Sequence, residues 1–342
     1  MYLKTQALIE EFCQEGVFSG VAYQFISPAA TFQQISGLAQ TNPSPIKLTS
    51  EMLFDVASLT KVVCTTTILL KLLEAGEVEL DQALHYYLPA FKDEKITLRH
   101  LLTHTSDIQT YIPNRNQLDK AALRAAYYQL QPGDLLGKKV QYTDAGTILL
   151  GFMLEEIYQE AVVDIFQKEV LQPLNMSASR FLPTDNAKIV PTEKVAELGV
   201  LKGITHDPKA RVLAESAGNA GLFTNLADLH KFVAMLLAQG QVAKQTFLQA
   251  ETVRNLLQDY TLGADKPRSL GWDLLFDLAN QQPILYHTGY TGTFLVVDIL
   301  AQEAFIFLSN RVHPTDRREE YLLKRDKIIA SYLKEKAIQN KS

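Results

Sequence analysis

Ser58-Leu59-Thr60-Lys61 sets a hydroxyl and an amine three residues apart. On the first turn of a helix that spacing brings both groups to one face, where they can share a proton. Backbone N–H groups left unpaired at a helix N-terminus favour the negative charge that develops when a hydroxyl attacks a carbonyl. A lysine buried beside that positive end is expected to lose its proton more readily than a free side chain, which makes Lys61 a base for Ser58. Ser-x-x-Lys alone is a common spacing, and its plain alternative is a capped helix with a solvent-facing lysine. The residues that follow, VVCTTTILLKLL, are too apolar for an exposed helix, so a lysine in the first turn faces a cleft or is poorly solvated.

Two further stretches carry groups suited to the same chemistry. Tyr142-Thr143-Asp144 ends the polar run GKKVQYTD, just before the apolar run AGTILLGFMLEEI. Its phenol can donate a proton or, ionised, accept one; the alternative is a loop tyrosine packing its ring at a boundary. His287-Thr288-Gly289 closes the strand-like run LYHTG. Thr288 can donate to a substrate, and the backbone N–H after Gly289 can join that of Ser58 as an oxyanion hole, whereas His287 taken singly reads as a satisfied strand residue. His100 and His104 have the spacing of a helical metal pair, but LRHLLTH lacks the intervening glutamate of a zinc-hydrolase helix, and no metal is expected. AGNAGLF is glycine-rich without a following Lys-Ser/Thr, so a phosphate loop does not fit and no cofactor is expected.

These groups must be positioned by elements that the pattern outlines. Leu3, Ala7, Leu8 and Phe12 form a stripe on an opening helix ended by Gly16. GVAYQFI and TFQQISG read as adjacent strands, and FDVAS as a short strand running into the buried helix LTKVVCTTTILLKLLEAG, stopped at Gly76. Residues 77–215 change to helices and long connections, a mostly helical lobe. ADLHKFVAMLLAQG and AETVRNLLQDY follow as helices, then ILYHTG, TGTFLVVDI and EAFIFLSN as an antiparallel meander crossed by a helix over 316–334. The charged tail LLKRDKIIASYLKEKAIQNK reads as the solvated face of that helix. The expected architecture is one α+β domain over 1–342, an antiparallel sheet flanked by helices. One lobe is made from 1–76 and 216–342, so that the two chain ends complete one sheet, and 77–215 forms the second.

Composition narrows the partners. With 342 residues, 47% of them hydrophobic, the chain can bury a large core. A net charge of -5 gives no long-range attraction for nucleic acid or anionic lipid, so a small molecule or short peptide is the expected partner. Two cysteines, Cys13 and Cys64, are too few for a disulfide scaffold of this size and read as small buried hydrophobes. The N-terminal run MYLKTQALIEEFCQEG alternates apolar and charged residues and lacks the apolar core of a signal peptide, from which a cytoplasmic protein is expected.

FDVASLTK, LDQALHYYLPAFKDEKITLRHLLTHTS, QYTDAGTILLG, AGNAGLFTNLADL and YHTGYTGTFLVVD place three motifs in the order Ser-x-x-Lys, Tyr-x-(Asn), (Lys)-Thr-Gly. In that order, and over nearly the whole chain, the sequence resembles the serine beta-lactamase and penicillin-binding-protein superfamily, most of all the class C beta-lactamase-like serine hydrolases. The resemblance implies the beta-lactamase/transpeptidase-like fold and an acyl-enzyme hydrolase of esters or amides such as short esters or D-amino-acid peptides. It implies Ser58 as nucleophile, Lys61 as base, Tyr142 as proton relay, the amides of Ser58 and Tyr290 as oxyanion hole, and Asp144, His287, Thr288 and Gly289 as substrate contacts. Asp144 departs from the family's asparagine and His287 from its lysine, and both changes make the site less positive. They point away from an efficient beta-lactamase and towards an esterase or D-peptidase. Asp107 and Asn219 also stand where glycine and histidine are usual. A weak beta-lactamase or D-Ala-D-Ala carboxypeptidase is the alternative within the class, and a non-catalytic binder of penicillin or cell-wall fragments is the alternative outside it.

Overall fold

The computed structural model describes residues 2–339. Helix α1 (Leu3–Gln14) precedes strands β1 (Gly20–Ile26), β2 (Thr31–Gln40), β3 (Ile46–Lys47) and β4 (Phe54–Asp55). A π-wound segment, Lys61–Thr66, runs directly into α2 (Thr67–Glu74). Next come α3 (Leu84–Tyr87), α4 (Leu98–Leu102), α5 (Lys120–Tyr128), α6 (Ala145–Tyr158) and α7 (Val162–Phe166). The two-residue pair β5 (Lys194–Val195) and β6 (Gly199–Val200) then leads to α8 (Pro208–Leu213). β7 (Phe223–Thr224) enters α9 (Leu226–Leu237), followed by β8 (Gln241–Val242), β9 (Gln245–Thr246) and α10 (Ala250–Asn255). The chain finishes with β10 (Asp273–Phe276), β11 (Pro283–Gly289), β12 (Thr293–Asp298), β13 (Glu303–Ser309) and α11 (Arg318–Gln339).

The main sheet has the order β10-β11-β12-β13-β1-β2-β3, antiparallel throughout. The N-terminal hairpin therefore docks on the C-terminal meander, with Tyr23 opposite Phe307 and Val21 opposite Ser309. Every residue of β1, β12 and β13 is buried, because both faces of the sheet are covered. The alternation of side chains sorts them. Val21, Tyr23, Phe25, Phe294, Phe305 and Phe307 pack under α1 and α11, through Ile9, Phe12, Tyr321, Ile328 and Tyr332. Ala22, Leu295, Val297, Ile306 and Leu308 face the opposite way, into the larger core built around α2, α6 and α9. α6 is apolar all round, with Ala145 to Leu154 buried, and is the central helix of that core.

Several local expectations are corrected. On α1 the buried face is Thr5, Ile9 and Phe12, leaving Leu3 71% exposed, because α11 covers the helix from one side only. The predicted regular helix after Ser58 is π-wound over Lys61–Thr66. β10 was not anticipated, since DLLF is short and follows a loop rather than an alternating run. α10 covers only six residues of AETVRNLLQDY. In the charged tail, Lys336 is 1% exposed, drawn inside by Asp277, Asp298 and Glu303 at 2.6, 2.8 and 3.3 Å. Among the described residues no helix is long and apolar enough to cross a membrane.

Candidate active site

The turn carrying Ser58 is fixed from three directions. Ala57, just before it, has φ +47°, a left-handed conformation that an alanine adopts only when its surroundings impose it. Asp55 does this: its Oδ1 accepts the Ala57 N–H at 2.8 Å, its Oδ2 accepts the His206 N–H at 2.7 Å, and its carbonyl accepts from Thr291 Oγ1 at 2.6 Å. Burial of that carboxyl pushes its pKa up, against the pull of the two N–H donors. One aspartate thus ties the Ser58 turn, the segment before α8 and the β11–β12 turn together. Thr60 adds a second tie, donating to the Ala57 carbonyl at 2.7 Å and accepting the Leu222 N–H at 3.2 Å.

Lys61 Nζ sits 2.8 Å from Ser58 Oγ, 2.7 Å from Asp144 Oδ1 and 2.9 Å from the Asn219 carbonyl. Three acceptors match the three N–H bonds of an ammonium. A neutral amine fits the same positions with one bond reversed, its two N–H groups on Asp144 and Asn219 and its lone pair on the Ser58 hydroxyl. Burial alone would pull the Lys61 pKa down, but the Asp144 carboxylate, assisted by Tyr142, overrides it and holds the ammonium above the ordinary lysine range. The expected ready loss of the Lys61 proton is therefore corrected: the ion pair with Asp144 outweighs both burial and the positive helix end. Asp144 is desolvated too, yet Lys61 and Lys209 keep its carboxyl well below the usual range. Lys209 Nζ lies 3.1 Å from Asp144 Oδ2 and 2.7 Å from Asp207 Oδ2.

Tyr142 hangs over this cluster, with Lys61 Nζ 5.4 Å from its ring centre. Its ring tilts against His104 at 4.5 Å and against His287 at 6.2 Å, and Trp272 meets His287 edge-on at 6.3 Å. His104, considered at first for metal, is a holder of this loop: its carbonyl accepts the Gln141 N–H at 2.8 Å and its Nδ1 accepts the Thr143 N–H at 3.4 Å. Burial, reinforced by Arg268 and Lys61, drives the pKa of both His104 and His287 far down, so both rings are neutral. His100 closes a capping box on Thr97 instead of pairing with His104, and among the described residues no cluster of side chains is fit to hold a metal.

The end of β11 lies directly on the Ser58 turn. Thr293 Oγ1 donates to the Val56 carbonyl at 3.2 Å, and a Cβ on Gly289 would fall 2.2 Å from that carbonyl oxygen, so glycine is obligatory there. This contact brings Tyr290 beside Ser58. The Tyr290 carbonyl accepts from Arg311, its hydroxyl donates to Asp316 at 2.7 Å, and its ring stacks on His206 at 5.3 Å. Ser58, Tyr142, Asp144, His287, Thr288, Gly289 and Tyr290 all line one cleft of about 630 Å³. Asp107 lies apart from these contacts, at φ +46°, where its Oδ2 accepts the Leu135 N–H at 2.9 Å and secures the loop before Tyr142.

Sequence reasoning missed Asp55, Asp207 and Lys209. Asp55 was visible only as part of a short strand, and Asp207 and Lys209 belong to THDPKAR, whose sole signal was an N-cap before proline. Asn219 was noticed as a departure, while its backbone carbonyl is what touches Lys61.

The beta-lactamase family profile matches residues 5–327. A protein of Escherichia coli (strain K12), named "Putative D-alanyl-D-alanine carboxypeptidase", is 27% identical over 319 residues, covering 79% of this chain and 71% of its own. The solved structure of a class C beta-lactamase superposes with a TM-score of 0.76 at 18% identity, covering 96% of this chain and 95% of the other. That of EstCE1, a hydrolase with promiscuous acyltransferase activity, gives 0.74 at 20% identity over 95% and 97%. At such identities the superpositions speak for a shared fold alone.

Proposed function

The chain belongs to the beta-lactamase family of serine hydrolases, and on that premise we propose that it opens esters or amides through an acyl-enzyme on Ser58. The observation that carries the reading is Lys61 Nζ at 2.8 Å from Ser58 Oγ, with a phenol above the pair and a strand end beside it. Ser58 Oγ attacks the substrate carbonyl carbon and its proton passes to neutral Lys61. The amides of Ser58 and Tyr290 receive the developing oxyanion. Tyr142 relays the proton from Lys61 to the departing oxygen or nitrogen, and the reverse sequence, with water as the attacking group, frees the acyl chain.

The substrate class we favour is a short ester or a D-amino-acid peptide. Asp144 has both oxygens engaged by lysines and donates nothing, and His287 is neutral, so two contacts that suit a beta-lactam are altered. The cleft nevertheless carries seven lysines and arginines against four carboxylates on a chain of net charge -5, which favours an anionic substrate. The D-alanyl-D-alanine carboxypeptidase name of the Escherichia coli relative agrees with such a substrate.

Incubation with a fluorophosphonate or a fluorescent penicillin, followed by peptide mass analysis, is expected to find one adduct, on Ser58, absent from Ser58→Ala. A chain that takes up no adduct would instead be a binder. With turnover established, a p-nitrophenyl ester should be hydrolysed faster than nitrocefin; the reverse order would contradict the weight placed on Asp144 and His287.

A further inference from the structure

Asp144 stands between two ammonium groups. Oδ1 takes Lys61 at 2.7 Å and Oδ2 takes Lys209 at 3.1 Å. Lys209 is in turn 2.7 Å from Asp207 Oδ2, and Asp207 Oδ1 accepts from Asn219 Nδ2 at 3.2 Å. The Asn219 carbonyl returns to Lys61 at 2.9 Å, so the five residues close a ring. Lys209 is 15% exposed in its side chain and lines the cleft beside Ser58.

A carboxylate serving Lys61 alone would clamp its proton. A second cation on the other oxygen weakens the clamp by sharing the carboxylate charge and by repelling the Lys61 ammonium across poorly solvated protein. We propose that Lys209 is a positioning residue that, by drawing on Asp144, releases Lys61 to act as the base for Ser58. The inference rests on the acyl-enzyme reading above. When the Lys61 proton leaves through Tyr142 to solvent, Lys61 keeps two N–H bonds for Asp144 and the Asn219 carbonyl and accepts the Ser58 proton, while Lys209 goes on balancing Asp144. The other groups facing Lys61 are the Tyr142 phenol before α6, His104 after α4 and His287 on β11, and Arg268, before β10, acts on the two histidines. The histidines are neutral by burial and Arg268 is paired with Asp273, so Lys209 is the cation that acts through Asp144 itself.

The test follows kcat/KM for p-nitrophenyl butyrate from pH 6 to 10.5 in the full chain, with melting temperature as a folding check. Lys209→Met should move the alkaline rise upward by about one pH unit, ~10-fold in neutral Lys61 at a given pH. Lys209→Arg should restore the wild-type profile. Asp144→Asn should move the rise downward, and adding Lys209→Met to it should change nothing further, because the carboxylate through which Lys209 acts is gone. Superimposable wild-type and Lys209→Met profiles, or an equal shift in the Asp144→Asn background, would overturn the proposal. The Nζ chemical shift of 15N-lysine in Ser58→Ala reads the same titration without turnover, Lys61 being assigned by Lys61→Arg. An Nζ midpoint unmoved by Lys209→Met sinks the inference even if Ser58 is acylated. A moved midpoint in a protein whose Ser58 is never acylated sinks the acyl-enzyme reading, and with it the purpose given to Lys209.

Discussion

One aspartate changes the character of the Ser58–Lys61 pair. An asparagine in that place would leave the lysine to be governed by burial, which favours the neutral amine; Asp144 supplies a charge that outweighs burial. The sign of the consequence follows. A raised Lys61 pKa leaves the ammonium dominant at neutral pH, and the base form grows as pH rises. Esterase activity, corrected for spontaneous hydrolysis, should therefore climb beyond pH 8, and a plateau reached below pH 7 in a pH–rate profile would contradict the ion pair's dominance. Tyr142 lays its ring against His104 and His287 while remaining 47% exposed. Tyr142→Phe keeps that packing and removes the proposed relay, for which a loss of ~10²–10⁴ in kcat is expected with the Ser58 adduct forming more slowly in the same assay.

At the scale of elements, the site is a junction between the end of β11, the turn after β4 and the segment before α8. Gly289→Ala forces a Cβ into the Val56 carbonyl and Thr293 Oγ1, each 2.2 Å away. Overpacking of this kind costs about 1–3 kcal/mol, to be read from urea denaturation, and the displaced turn should depress kcat beyond what stability explains. Asp55→Ala strips acceptors from the buried Ala57 N–H, worth ~1–3 kcal/mol when left unpaired, and from the half-buried His206 N–H. With Ala57 no longer pinned at positive φ, activity should fall in Asp55→Ala even under conditions where the protein remains folded; unchanged turnover would mean the turn holds itself.

Across the whole molecule the two chain ends share one sheet, and the C-terminal part carries a buried charge cluster beneath it. Lys336, near the end of α11, sets one ammonium among the Asp277, Asp298 and Glu303 carboxyl groups where water is nearly excluded, and burial pushes the Glu303 pKa up. Removing a single partner from such a cluster strands the opposite charges, so Lys336→Met should destabilise by about 3–5 kcal/mol in chemical denaturation while leaving the pH–rate profile of the folded enzyme in place. The cluster is remote in sequence from the Ser58 turn, yet α11 and α1 cover the sheet that presents β11, so stability and the cleft share one support.

Local pattern alone indicated the opening helix, the pairing of β1 with β2, the buried helix after Ser58, the β11–β13 meander and the spacing of the polar motifs, but not β10 or the short pairs β5–β6 and β8–β9. Those features are written in side-chain periodicity and in short fixed spacings, and a three-residue spacing is enough to put Ser58 and Lys61 on one face. Tertiary structure decided the rest. Whether Lys61 carries a proton depends on Asp144, 83 residues away, and on Lys209 beyond it. Charge and burial act through space, and a linear pattern carries no record of which distant carboxylate arrives beside a given amine. For the same reason Lys336 read as a solvated residue until three carboxylates from the sheet and its turns were seen to enclose it.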